Sequence, residues 1–247
     1  MKSIKSYLYI IFLFALLYAC TNSADVAPQV GQGGSMARFA IQGDYLYTLN
    51  TRSLQVYDLK NNNTPTFKKA INLGTGIETI FPYQNMLFIG SETGMLILDN
   101  ANPYSPKLIS TYSHIQSCDP VVVQGNYAYV TLRRGTTCRQ GLSELDIVDI
   151  SDLKKPTLVS TYPMFNPMGL GIDGENLFIC DGAAGLKGFK LENPIAPTLN
   201  FVHSNIQAYD VIPRNGLLLM IGENGLYQYS YKGENMELLS TIPVNQQ

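Results

Sequence analysis

Apolar residues in this chain come in short runs separated by Gly, Pro, Asn and Asp, and the runs repeat. Leu54-Gln55-Val56-Tyr57-Asp58 aligns with Met95-Leu96-Ile97-Leu98-Asp99, Leu145-Asp146-Ile147-Val148-Asp149, Leu186-Lys187-Gly188-Phe189-Lys190 and Leu226-Tyr227-Gln228-Tyr229-Ser230. The first position returns after 41, 50, 41 and 40 residues. Seven residues past each block stands Pro65, Pro106, Pro156 or Pro197, with Glu237 in that place in the fifth copy. Upstream a second apolar segment recurs as Tyr45-Leu46-Tyr47, Met86-Leu87-Phe88, Tyr127-Ala128-Tyr129, Asn176-Leu177-Phe178 and Leu218-Leu219-Met220. Downstream a third recurs in Leu108-Ile109-Ser110-Thr111-Tyr112, Leu158-Val159-Ser160-Thr161-Tyr162 and Leu238-Leu239-Ser240-Thr241-Ile242.

With a leading run such as Val121-Val122-Val123, each unit holds four strand-like segments. They are short, rich in β-branched and aromatic residues, and broken by Gly and Pro, which excludes a helical solenoid. Turn pairs Gly43-Asp44, Gln84-Asn85, Gly125-Asn126 and Gly174-Glu175 separate the first two runs and suit two-residue hairpins. Four antiparallel strands in about 40 residues make a propeller blade. Runs such as Met95-Leu96-Ile97-Leu98, apolar on both faces, fit a sheet packed between neighbours, and no such unit is stable alone. The expectation is an all-β, five-bladed β-propeller of four-stranded antiparallel blades, in units of about 38–76, 77–117, 118–165, 166–206 and 207–247. An irregular strand from the segment before residue 38 could help close the ring.

The third unit carries a specific resemblance. Leu145-Asp146-Ile147-Val148-Asp149 differs at one position from the LVIVD string that names a family of repeat proteins. Gly125-Asn126-Tyr127-Ala128-Tyr129-Val130 before it, and Asp149-Ile150-Ser151 with Pro156 after it, resemble that family's repeat. The resemblance extends over residues 38–247, strongest in the third unit and weakest in the fifth. It implies an extracytoplasmic β-propeller, often a lipoprotein, and implies no chemistry. The absence of Trp makes WD-type repeats a poorer match.

The N-terminus resembles a bacterial lipoprotein signal: Lys2 and Lys5, an apolar stretch from Leu8 to Leu17, then Leu17-Tyr18-Ala19-Cys20. The stretch is shorter than the roughly 20 residues that span a bilayer. Residues 1–19 are then a signal peptide, and Cys20 is the lipidated residue, which the resemblance endows with a diacylglyceryl group and usually a third chain. One acyl chain alone holds a membrane only marginally. Residues 20–37 read as the lipidated cysteine and a flexible tether. Thr21 is not the Asp that retains some lipoproteins at the inner membrane, and Thr21-Asn22-Ser23-Ala24-Asp25 lacks an acidic export cluster. The expected location is the bacterial outer membrane, its periplasmic face favoured over the cell surface.

Composition narrows the partners. Apolar residues are 45% of the chain, ample for a core, and the net charge of −2 falls to near −4 when the signal removes Lys2 and Lys5. Such a domain is a poor partner for nucleic acid, whose phosphates call for a basic stripe.

One unit breaks the pattern. The third is about nine residues longer, and the excess, Arg133 to Gly141, lies between its second and third strands. Insertions in repeat arrays map to loops on one face, often the binding face. Cys118 and Cys138 fall on the same side of that blade, so an oxidising compartment lets them bridge. Closing this 21-residue loop is worth about 3 kcal/mol. Cys180, within Phe178-Ile179-Cys180, reads as a buried structural thiol. The same face collects Asn166, Gln207 and the candidate binding residues Arg38, Glu78, Asp119, Arg133, Arg134, Arg139 and Asp210; alternatively, these cap strand edges and pair with one another.

No catalytic constellation stands out: there is no Gly-x-Ser-x-Gly elbow, phosphate loop or His-x-x-x-His pair, and His114 and His203 fall in different units. No cofactor or metal is expected. The recurring Asp58, Asp99 and Asp149 suit turn formation. The function expected is a non-enzymatic binding or scaffold module for a protein or glycan partner, anchored to the membrane by lipid. The alternative is a hydrolase or lyase acting on a carbohydrate, lactone or cell-wall fragment, with two of Glu78, Asp119 and Asp210 at the channel mouth.

Overall fold

The computed structural model describes residues 30–31, 33–61, 64–114, 120–134 and 142–244. Every regular element among them is a strand, and the strands form five antiparallel sheets in chain order. The first blade holds β1 (Val30–Gly31), β2 (Phe39–Gln42), β3 (Tyr45–Leu49), β4 (Ser53–Asp58) and β5 (Thr66–Asn72). The second holds β6 (Ile77–Tyr83), β7 (Met86–Ser91), β8 (Gly94–Asp99) and β9 (Lys107–Ser113), and the third β10 (Val121–Gln124), β11 (Tyr127–Leu132), β12 (Glu144–Asp149) and β13 (Thr157–Pro163). The fourth holds β14 (Leu170–Asp173), β15 (Asn176–Cys180), β16 (Leu186–Lys190) and β17 (Thr198–His203), and the fifth β18 (Ala208–Arg214), β19 (Leu217–Gly222), β20 (Gly225–Lys232) and β21 (Asn235–Pro243). This is the expected propeller, with one addition. Val30–Gly31 pairs with Ile41–Gln42 as an extra innermost strand, so ordered structure begins upstream of Arg38.

Local chemistry repeats with the blades. The first residue of each inner hairpin turn has positive φ: Gly43 57°, Gln84 50°, Gly125 60°, Gly174 56° and Asn215 51°. The fifth turn is thus Asn215-Gly216, and Leu217-Leu218-Leu219 is the true counterpart of Tyr45-Leu46-Tyr47. The sequence alignment of Leu218-Leu219-Met220 was one residue late, because four consecutive apolar residues carry no alternation from which to read register. The repeated aspartates do form turns: Asp58, Asp99 and Asp149 each accept the amide two residues on, at 2.8 Å. Each third strand bulges against its fourth after the third position of the repeated block: Val56, Ile97, Ile147, Gly188 and Gln228. A bulge adds twist, so five at one position give five blades one shape.

Hydrophobic cores lie between blades. Tyr47, Leu49, Leu54 and Val56 of the first blade pack on Ile77, Ile80, Leu87 and Ile89 of the second, and three more cores of the same kind join the second to third, third to fourth and fourth to fifth blades. Polar contacts follow the same direction. The Tyr47 hydroxyl donates to the Pro103 carbonyl (3.0 Å) and accepts from Asn100 Nδ2 (3.0 Å); the Tyr129 hydroxyl reaches the Pro194 carbonyl at 3.1 Å. Inner hairpins are linked too: Gln42 donates to the Gln84 carbonyl, the Gly125 amide to the Tyr83 hydroxyl (2.8 Å), Gln124 to the Gly174 carbonyl (2.7 Å), and Tyr231 to Asp173.

Among the described residues no equivalent core joins the fifth blade to the first. Tyr47, Phe88, Tyr129 and Phe178 are 0–1% exposed, whereas their counterpart Leu219 is 40% exposed. On the opposite face, Ile80, Val121, Leu170 and Val211 are at most 2% exposed and their counterpart Phe39 is 58% exposed. The fifth blade's last face and the first blade's first face therefore border an apolar seam.

Candidate functional site

The leading strands β2, β6, β10, β14 and β18 surround the centre, and at their starting ends the chain's own leader crosses the channel. The carbonyl of Ala37 accepts the Ile80 amide at 2.9 Å, in the second blade. Ser35, 1% exposed, accepts the Leu170 amide of the fourth blade at 2.7 Å and donates to Asp210 Oδ1 of the fifth at 3.4 Å. Asp210 also accepts the amides of Ser35, Met36 and Val211. A Cβ on Gly34 or on Gly169 would come within 2.0 Å of the Asp210 carboxylate, so both glycines are needed to let the two segments close around it. Burial pushes the Asp210 carboxyl up to about 6, against hydrogen bonds that pull it down.

The other predicted face residues fall around this closure. Arg38 Nη2 donates to the Ile77 carbonyl at 3.1 Å, bracing the first blade on the second. Glu78 lies next to Ile77 in β6, with interactions of its own. Arg133 and Arg134 emerge where β11 ends, and the Arg134 amide faces Ser143 Oγ at 3.5 Å across the base of the insertion. Asp119, Cys118, Cys138, Arg139 and Cys20 lie outside the described residues. Cys180 is a buried free thiol, its pKa raised well above the ordinary range first by burial and then by Asp210 and Asp181.

Two charged groupings escaped the sequence reading. Asp181, fully buried, accepts the amides of Phe165 (3.1 Å) and Asn166 (2.7 Å) and pairs with Lys187 Nζ at 2.5 Å, anchoring the link between the third and fourth blades. Under the insertion, Asp146 accepts Thr161 Oγ1 (2.9 Å) and the Tyr112 hydroxyl (3.2 Å), and burial raises the pKa of both Asp146 and neighbouring Glu144. His114 faces this pair and lowers both, while His203 stacks edge-on against Tyr229 at 5.7 Å. Among the described residues no three His, Cys, Asp or Glu side chains cluster as a metal site would require.

Below the leader the channel widens into a cavity of about 300 Å³. Ile80 and Phe81 of β6, Leu170 and Ile172 of β14, and Val211 and Ile212 of β18 give it a mainly apolar wall. Tyr83 and Gln84 stand at the hairpin end. This volume is at the low end of small-molecule sites.

Radial four-stranded blades around a channel define a β-propeller, and solved structures share the fold. A protein from Lactobacillus plantarum superposes at TM-score 0.63 with 14% identity, over 81% of this chain and 68% of that one. A functionally unknown protein from Desulfotomaculum acetoxidans gives 0.65 and 9%, over 88% and 70%. An S. cerevisiae assembly described as Dbp5 bound to Nup159 gives 0.54 and 9%, over 85% and 64%. The chain thus spans about two thirds of these neighbours' lengths, and such low identities establish the fold alone. No curated protein matches it. The particular kind of repeat is identified by sequence: residues 117–163, the third blade, match the LVIVD repeat.

Proposed function

We infer that the protein is a lipid-anchored, extracytoplasmic propeller that holds a protein or glycan partner at the bacterial outer envelope without transforming it. The observation that carries this reading is the closure of the channel mouth by Gly33–Ala37. Asp210, one of the carboxylates weighed for a glycosidase-like pair, spends its oxygens on Ser35, Met36 and Val211 of its own chain. A carboxylate so occupied is not positioned against a substrate. The polar groups left on that face flank the insertion, whose base carries Arg133 and Arg134. A propeller neighbour described in a bound protein assembly supports a partner of this kind.

The test is affinity capture from envelope extracts with the wild type and with Arg133, Arg134 and Arg139 changed to Ser. Loss of a partner in the variant supports the loop face; identical partner sets would count against it. Turnover of a cell-wall saccharide that disappears in Glu78→Gln or Asp210→Asn would favour the enzyme instead.

A further inference from the structure

We propose that the cleft between the fifth and first blades binds a single-chain anionic amphiphile, with its hydrocarbon chain against the apolar wall and its head on Arg214. This stands apart from the partner-binding reading and uses a different surface.

The wall is continuous. On the fifth blade Leu217, Leu219 and Ile221 are 43, 40 and 51% exposed, at positions that face a following blade elsewhere in the molecule. Across the cleft the first blade offers Phe39 and Ile41. A groove of about 220 Å³ along Ile212, Leu217 and Leu219 shares Ile212 with the 300 Å³ channel cavity, so apolar surface runs from the outer face into the channel. Along β6 the cavity lining runs from Ile80 to Gln84, about 13 Å at the rise of a strand, which makes its mean cross-section about 23 Å². A hydrocarbon chain fits such a bore, and a fused ring system does not.

Charge gives the occupant a direction. Arg214 is exposed at the groove's hairpin end and makes no hydrogen bond or ion pair among the described residues. It is a planar cation suited to a carboxylate or phosphate. At the far end of the same strand the Asp210 carboxylate is engaged by the leader, which seals that end and disfavours a second anion. The head therefore sits at Arg214 and the tail points toward Gly33. Such a chain has two sources: free amphiphile of the envelope, and the acyl groups of Cys20, which stands ten residues before Val30 at the inner edge of the first blade.

The test titrates the full chain carrying Cys20→Ser, purified without detergent, with dansyl-labelled undecanoic acid. The expected result is saturable one-to-one binding displaced by palmitate. Leu219→Asp weakens it about tenfold or more, and Arg214→Glu weakens the acid about tenfold while leaving the corresponding neutral alcohol unchanged. Arg214→Lys keeps most of the affinity, and circular dichroism verifies that each variant is folded. Reduced uptake by the acylated wild type assigns the site to the Cys20 chains, and equal uptake assigns it to free amphiphile. Absence of saturable binding, or variants that bind like the wild type, overturns the proposal. A dimer that Leu219→Asp dissociates, with no probe uptake, overturns it in favour of a second copy of the chain.

Discussion

The hydroxyl of Ser35 and the carboxylate of Asp210 meet at 3.4 Å across 175 residues of sequence, joining the leader of the first blade to the start of the fifth. Where the two blades share no hydrophobic core, this polar contact and the amides beside it are what hold the ring at its centre.

Asp210 makes the fold sensitive to mild acid in an unusual direction. Its carboxyl is pushed up to about 6, so between the unfolded value near 4 and that point the folded state binds more protons than the unfolded one. Stability is therefore greatest below about pH 4 for this group and declines as pH rises to about 6, by at most about 2 kcal/mol after allowance for partial exposure. Glu144 and Asp146, also shifted upward, contribute slopes of the same sign. Urea denaturation across this interval should show a flatter pH dependence in Asp210→Asn than in the wild type, and an unchanged slope would remove Asp210 as its source.

Repeat-equivalent positions should differ sharply in cost. Tyr47→Ala leaves a cavity between blades and strips Asn100 and Pro103 of a partner, for a loss of about 3–5 kcal/mol. Leu219→Ala, at the corresponding place in the fifth blade, should cost under about 1 kcal/mol because that face has no following blade. Thermal melts of the two variants decide the matter, and equal losses would mean the seam is packed in solution.

Lys187→Ala leaves Asp181 buried with its charge uncompensated. The expected loss is about 3–5 kcal/mol, since the two backbone amides cannot replace the cation. Denaturation of Lys187→Ala beside Lys190→Ala, whose ammonium only reaches Asn176 at 2.7 Å, provides the comparison.

Cysteine chemistry tests the envelope reading. Peptide mapping without reductant should recover Cys118 linked to Cys138, and their replacement by Ser should lower stability by about 3 kcal/mol. Cys180, buried and held protonated, should react with iodoacetamide only after unfolding. Labelling of Cys118 and Cys138 in the native protein would contradict the bridge.

What could be read before folding was the local part. The turn at Gly125-Asn126, the Asp149 side chain reaching the Ser151 amide, and the block from Leu145 to Asp149 each involve residues a few positions apart. Their chemistry repeats with the sequence, so the number and kind of blades followed. The shift at Leu217 shows the limit: a wholly apolar stretch fits two registers, and only pairing with β18 and β20 chose one.

The amino acids alone thus determined five repeated antiparallel units, because strand periodicity and turn stereochemistry are short-range properties. Tertiary structure alone decided that Gly33-Gly34-Ser35, linker-like in composition, is buried against Asp210, and that Leu219 lies open where Phe178 is covered. Both outcomes depend on which distant surface arrives opposite a residue, and the residue's own neighbours in sequence carry no information about that.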